Sequence, residues 1–108
     1  HLPSRLNILK INVEEIDPDI LALSEHKMSE EELMVLNIQN YKTCSSFSRS
    51  NTIGGGVVIM VKKDIKSKRI VIPVVQNLLN EKEFECCLTE IITSSSSFLL
   101  GCMYRSQL

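Results

Sequence analysis

The sequence predicts an α+β fold, or a layered α/β fold, whose late strands are mostly antiparallel. Three observations lead to it: a helical period near the amino end, two pairs of strand-like segments joined by turn-forming residues, and no internal repeat or clear domain boundary. With 108 residues, 44% of them hydrophobic, the chain has the size and apolar content of one domain or of part of one.

The first predicted element is an amphipathic helix that begins near Ser4 and ends before Pro18. Its apolar residues recur at three- and four-residue intervals, and its charged residues fall elsewhere on the helical wheel. These apolar residues are Leu6, Leu9, Val13 and Ile16. The next segment, Asp19 to Ser24, is a short apolar run, which predicts a strand buried on both faces.

A second helix and a pair of strands follow. Ser29 with Glu32 three residues later forms a capping-box pattern, and the helix that it starts is predicted to end near positions 37 to 40. Tyr41 to Phe47 and Val57 to Val61 then have strand composition, and the polar stretch between them ends in three glycines.

The last part of the chain predicts an antiparallel hairpin. Its strands are Glu83 to Thr93 and Phe98 to Tyr104, and four serines at positions 94 to 97 form the linker. Before the final hairpin, Lys62 to Arg69 contains five basic residues in eight, which favours a solvated hairpin over a DNA-binding track. Ile70 to Val75 is a further strand candidate, interrupted by Pro73.

Charge and cysteine content exclude few function classes. Twelve basic against thirteen acidic residues give a net charge of -1, which argues neither for DNA binding nor against a metal-dependent nuclease. The four cysteines lack zinc-site spacing, which predicts free thiols in a reducing compartment.

No apolar run approaches the roughly 20 residues of a membrane span, so we expect an intracellular protein without membrane contact. The chain starts without Met and stops after a strand-like run, so both ends are predicted to be truncations.

Few residues qualify as an active site on pattern alone. The glycines at 54 to 56 lack the Lys-Ser/Thr and the helix of a phosphate-binding loop, so a bend or bulge is predicted there. Glu25 stands at the carboxyl end of a predicted strand, where open α/β sheets place functional groups. A divalent cation is one partner for such an acid, and a simple surface strand end is the alternative.

A series of short motifs spans nearly the whole chain in a characteristic order. It comprises Asp17–His26 (DPDILALSEH), Asn40–Tyr41, Phe47–Arg49, Gly54–Val57 with Val61–Lys62, Glu83–Cys86, and Met103–Ser106 (MYRS). This series resembles the endonuclease/exonuclease/phosphatase family, and more narrowly the apurinic-type endonuclease of non-LTR retrotransposons. The resemblance implies a four-layer sandwich, of which residues 1–108 would be roughly the first half without its first strand.

The resemblance also implies a function and site residues. In the family, the Glu that ends this strand coordinates catalytic Mg²⁺, with Mn²⁺ as a possible substitute, and this implies Glu25. The Tyr of the "YR" strand end approaches the scissile phosphate, and this implies Tyr104. Such an enzyme nicks duplex DNA in the nucleus, and a downstream reverse transcriptase domain of the same polyprotein then extends the 3′ hydroxyl.

Other residues have weaker indications. Arg49, before the glycines, is either a DNA phosphate contact or a solvated loop residue. Arg105 follows Tyr104 directly, so it should face the other side of a strand, as a salt-bridge residue or a substrate contact. His26, beside the implied metal ligand, is expected to lie at most in the second layer around the metal.

The family's Gly-Asp-Phe-Asn and Ser-Asp-His segments, and its amino-terminal Asn, do not occur in these 108 residues. We therefore expect the chain to be inactive by itself. Two alternatives remain: a phosphatase of the same superfamily that acts on small or lipid phosphates, and a degenerate or domesticated fragment without catalysis.

Overall fold

The computed structural model describes residues 2–106, with the backbone alone for residues 2–4. This part of the chain forms three helices and six strands, and the predicted α+β class is confirmed. In chain order the elements are α1 (Leu2–Ile16), β1 (Ile20–Ser24), α2 (Glu30–Met34), β2 (Tyr41–Phe47), β3 (Val57–Lys62), β4 (Lys66–Ile70), α3 (Pro73–Leu78), β5 (Phe84–Ile92) and β6 (Ser97–Arg105).

The strands form two three-stranded sheets that pack face to face. One sheet has the order β1-β3-β2 and the other β4-β5-β6, so β3 and β5 are the central strands. Every strand pair within residues 2–106 is antiparallel. The predicted pairing of β2 with β3 and the predicted β5–β6 hairpin are both confirmed.

Central strand β3 is buried on both faces because the two sides of VVIMV serve two different cores. Val57, Ile59 and Val61 face the second sheet, where they pack with Cys87 and Ile91 of β5. The other face of β3 packs against the helical layer. That second core contains Val13, Met28, Leu33, Ile38, Tyr41, Val58 and Met60. The central position of β3 thus follows from an unbroken apolar run.

A buried hydrogen bond joins the two sheets. The hydroxyls of Ser45 on β2 and Thr89 on β5 lie 2.6 Å apart, and both residues are buried. Buried hydroxyls need such a partner, so this contact fixes how the sheets are aligned.

Three predictions about the elements are wrong. Strand β1 is half-buried instead of buried on both faces, because it pairs only with β3 and stands at the edge of its sheet. Helix α2 ends at Met34 and not near positions 37 to 40, since the capping box specifies only where a helix begins. Ile16 of α1 is exposed, one turn beyond buried Val13.

The strand predicted for Ile70 to Val75 is also wrong. Strand β4 ends at Ile70, and helix α3 begins at Pro73. Proline is well suited to the first position of a helix because its φ is already helical and its missing N–H is not needed there. Pro73 therefore starts a helix where the sequence suggested an interrupted strand.

Candidate functional site

Glu25 lies directly after β1 in an unusual backbone conformation. Its φ is 55°, and Lys27 has a φ of 59°, so two left-handed residues flank His26. This backbone places Glu25 and Lys27 at the surface and buries His26 between them. Left-handed backbone is uncommon for residues other than glycine. Asp17, Asn40 and Lys82 adopt it as well, so the conformation fixes where Glu25 stands but does not by itself mark a site.

The glycine segment before β3 lies against this strand end. The backbone N–H of Lys27 donates to Gly55 O at 2.7 Å, and that of His26 donates to Gly56 O at 3.4 Å. A Cβ on Gly56 would lie 2.3 Å from Cε1 of His26, and one on Gly55 would lie 2.2 Å from the Arg49 guanidinium carbon. The backbone of the Glu25 segment therefore passes close to both glycines.

The His26 ring is held by two backbone groups. Its Nδ1 accepts a hydrogen bond from the Met28 N–H at 2.9 Å, so Nε2 carries the proton and donates to Phe47 O at 3.1 Å. Burial lowers the pKa of His26, and this effect outweighs the backbone hydrogen bonds and nearby acids that raise it. His26 is thus a neutral residue that ties the Glu25 segment to the end of β2.

Glu85, at the start of β5, is the most completely buried charge at this end of the sandwich. It is 0% exposed, and its carboxylate forms a salt bridge with Nε of Arg49. It also accepts the backbone N–H of Gly56 at 2.9 Å and that of Lys82 at 3.0 Å. Burial raises the pKa of Glu85, but the two N–H groups and Arg49 outweigh burial and hold the pKa below its usual value.

Tyr104, near the end of β6, belongs to the same end of the sandwich as Glu25. It is paired with Glu85, whose carboxylate binds Gly56. The thiol of Cys102, two residues before Tyr104, donates to the carbonyl of Leu23, two residues before Glu25, at 3.7 Å. Strands β1 and β6 thus run side by side toward this end, and both predicted catalytic residues stand where their strands finish. We call this end of the sandwich the Glu25–Tyr104 edge.

The two predicted arginines occupy different environments. Arg49 lies at the Glu25–Tyr104 edge, but its side chain is only 11% exposed and is engaged with Glu85. It is therefore not the solvated loop arginine that the sequence left open. Arg105 is exposed on the outer face of β6, opposite to half-buried Tyr104, as predicted from strand alternation.

The basic segment 62–69 is not the predicted hairpin, because it runs from the end of β3 through a turn at 63–65 into β4 of the other sheet. Its basic side chains are mostly exposed. Lys62 is the exception because its ammonium group lies 2.7 Å from Asp17 and 3.7 Å from Asp19. Lys66, Lys68 and Arg69 lie on β4, away from the site. The segment thus has the solvated character that the sequence favoured.

A Mg²⁺ ion fits this edge only in part. Glu25 offers one exposed carboxylate, and Mg²⁺ is commonly held by one or two carboxylates together with water and substrate phosphate. Within residues 2–106, however, no group of three or more His, Cys, Asp or Glu side chains converges on a metal position. Glu25 thus fits as one ligand of a site that these residues do not close.

Sequence reasoning missed the role of Glu85. Strand alternation contained the signal, since Glu85 shares its parity with Cys87, Thr89 and Ile91, all of which face the other sheet. An acid at an inward position predicts a buried partner, and Arg49 is the one that the fold supplies. All four cysteines are free thiols, as predicted.

No helix in residues 2–106 has both the length and the apolar character to cross a bilayer. The chain matches no protein-family model, no curated protein and no solved structure.

Proposed function

We propose that this chain contributes part of the active site of a Mg²⁺-dependent DNA endonuclease, with Glu25 as a metal ligand and Tyr104 as a phosphate contact. The observation that carries the proposal is that strands β1 and β6 run side by side and finish at the same end of the sandwich, close to these two residues. They are 79 positions apart in the chain. Both follow from the order of motifs in the sequence, which contains no information on how β1 and β6 pack.

The backbone at Glu25 supports the same assignment. A left-handed residue with a side chain costs about 1–2 kcal/mol, and here the surrounding hydrogen bonds to Gly55 and Gly56 maintain it. That conformation presents an exposed carboxylate at the Glu25–Tyr104 edge. An exposed acid on a rigid base suits metal binding, because little ordering is needed when the ion arrives.

The chemistry of phosphodiester hydrolysis needs both groups. When bound, Mg²⁺ would offset negative charge on the phosphate oxygens and on the leaving group. Glu25 would supply one ligand oxygen, and the neutral Tyr104 hydroxyl would donate a hydrogen bond to a phosphate oxygen without adding charge. Buried Glu85 would keep the glycine segment and Arg49 in place beside them.

Under this proposal the partners are duplex DNA and a reverse transcriptase domain of the same polyprotein, and the place of action is the nucleus. Nothing within the 108 residues supplies the segments that activate the attacking water in such enzymes. We therefore expect no nicking by this chain alone. A supercoiled plasmid incubated with Mg²⁺ tests this, and nicking that disappears in Glu25→Ala would refute the expectation of inactivity while supporting the site.

Metal binding gives the more direct test. Mn²⁺ added to ¹⁵N-labelled protein should broaden the amide signals of Glu25, Lys27 and the glycine segment first. The Glu25→Gln variant should lose this pattern. A matched control, Glu14→Gln, changes an exposed acid on α1 and should leave it intact. Broadening that is centred elsewhere, or that persists in Glu25→Gln, would overturn the assignment of Glu25.

Tyr104 is tested with DNA. Anisotropy of a labelled duplex in Mg²⁺ should show weaker binding by Tyr104→Phe, with no change for Tyr41→Phe, whose hydroxyl bonds to Pro18 O in the other core. Equal affinity of Tyr104→Phe and the parent chain would remove Tyr104 from the proposed site. Binding of a small phosphate monoester in preference to duplex DNA would instead favour the phosphatase alternative.

A further inference from the structure

The four edge strands of the two sheets differ sharply in how they are protected against pairing with another strand. Strand β4 carries three exposed basic residues, a common means of blocking an edge. Strand β2 is interrupted by a bulge between Thr43 and Ser45. Strand β1 has only five residues and is flanked by two acids. Each of these edges has a recognised protective feature.

Strand β6 has no such feature. It runs for nine residues, SFLLGCMYR, with regular pairing to β5 and a single charge at its last position. On its outer face Leu99 is 53% exposed and Met103 is 60% exposed. A long, regular and apolar edge is a template for strand addition.

The register identifies which backbone groups are available. Ser106 N–H donates to Glu83 O, and Thr93 N–H donates to Ser96 O, so the even-numbered residues of β6 direct their N–H and C=O groups toward β5. The odd-numbered residues therefore point theirs away from the sheet. These are Ser97, Leu99, Gly101, Met103 and Arg105.

We propose that β6 is a homodimerisation edge, where a second copy of this chain adds its own β6 in antiparallel orientation with the two-fold axis at Gly101. This register pairs the whole strand with itself and matches odd residues with odd residues, as the free backbone groups require. It makes one continuous sheet of six strands from two sheets of three. The proposal does not depend on the nuclease assignment.

The sequence of β6 is complementary to its own reverse in this register. Leu99 lies opposite Met103 of the partner subunit, Leu100 opposite Cys102 of the partner subunit, and Phe98 opposite Tyr104 of the partner subunit. Arg105, the only charge, faces Ser97 of the partner subunit, so no like charges oppose each other. The closed two-fold pairing favours a dimer over open fibres.

Sedimentation equilibrium in reducing buffer over a dilution series tests the proposal. The parent chain should reach twice its monomer mass of 12.2 kDa at high concentration and dissociate on dilution. Met103→Lys and Leu99→Lys, which give β6 the protection that β4 has, should remain monomeric. Met34→Lys, at an exposed apolar residue of α2, should dimerise like the parent. A parent chain that is monomeric throughout, or that forms only open-ended aggregates, would overturn the proposal.

Amide hydrogen exchange gives a second readout on the unmodified chain. In the dimer the amides of Leu99, Gly101 and Met103 should be protected, and their exchange should accelerate as the protein is diluted. The amides of Leu100 and Cys102 bond to β5 and should be slow at every concentration. Odd-residue amides that exchange fast even when a dimer is present would place the interface elsewhere and refute the β6 pairing.

Discussion

Replacing Glu85 with alanine should be among the most destabilising changes in this chain. The residue is 0% exposed, and its carboxylate binds Arg49, Gly56 N–H and Lys82 N–H. Breaking a buried ion pair by deleting one partner costs about 3–5 kcal/mol, and each unsatisfied buried N–H costs about 1–3 kcal/mol. These costs overlap, and Arg49 keeps 11% exposure, so we expect a loss of about 4 kcal/mol for Glu85→Ala.

Urea unfolding with linear extrapolation measures this loss. Glu85→Gln keeps the shape and one acceptor oxygen, so about 2 kcal/mol is expected. Glu90→Gln is the matched control in the same strand, where the acid accepts only the Ser97 hydroxyl at the surface, and its effect should stay within about 0.5 kcal/mol. If Glu85→Ala lost less than about 1 kcal/mol, the view of Glu85 as a buried anchor would be wrong.

The same carboxylate sets an acid limit on stability. Because the folded pKa of Glu85 lies below its ordinary value of 4.5, its contribution is complete above pH 4.5 and is lost as the pH falls through the folded value. Glu85→Gln should not show this step. An identical acid profile in Glu85→Gln and the parent would assign the loss to other groups.

Three further predictions concern the Glu25–Tyr104 edge and the interface between the two sheets. Gly56→Ala, at φ 91° and with its Cβ 2.3 Å from the His26 ring, should lose about 3 kcal/mol in urea unfolding, whereas Gly101→Ala should lose under about 1 kcal/mol. A Ser45→Ala and Thr89→Val double-mutant cycle should give a coupling energy of about 1 kcal/mol, and zero coupling would deny the inter-sheet hydrogen bond. Burial holds the folded pKa of His26 below 6.5, so the unfolded chain binds a proton more readily than the folded one as the pH falls. The urea midpoint should therefore fall as the pH drops below 6.5. A midpoint that does not change with pH would contradict a buried neutral His26.

Local sequence patterns predicted the elements that depend on local physics. The Ser29–Glu32 capping box, the β2 and β3 strands and the final hairpin are specified by neighbouring residues, and the structure contains each of them. Boundaries were less accessible, as Pro73 shows, because the same residue interrupts a strand and begins a helix. The prediction that β1 is buried on both faces failed for another reason. A run of apolar residues does not show which strand takes the centre of the sheet.

The sequence predicted the candidate residues at the end of the sandwich but not the buried ion pair that holds the neighbouring segments in place. Glu25 and Tyr104 follow from motif order, and their assignment as metal ligand and phosphate contact stays a prediction. The Arg49–Glu85 ion pair joins positions 36 residues apart, and single-residue patterns give no information on such pairing. The sequence suggested only two environments for the Arg49 side chain, solvent or a DNA phosphate. The structure adds a third, a buried partner on another strand.

The left-handed backbone at Glu25 has a consequence for selection experiments. Glycine adopts this conformation without strain, so Glu25→Gly should increase the stability of the fold while deleting the carboxylate. A library screened only for thermal resistance should therefore drift toward glycine at position 25, and one screened for metal or DNA binding should retain the acid. The divergence of two such populations would measure how much folding stability the chain gives up to present a carboxylate there.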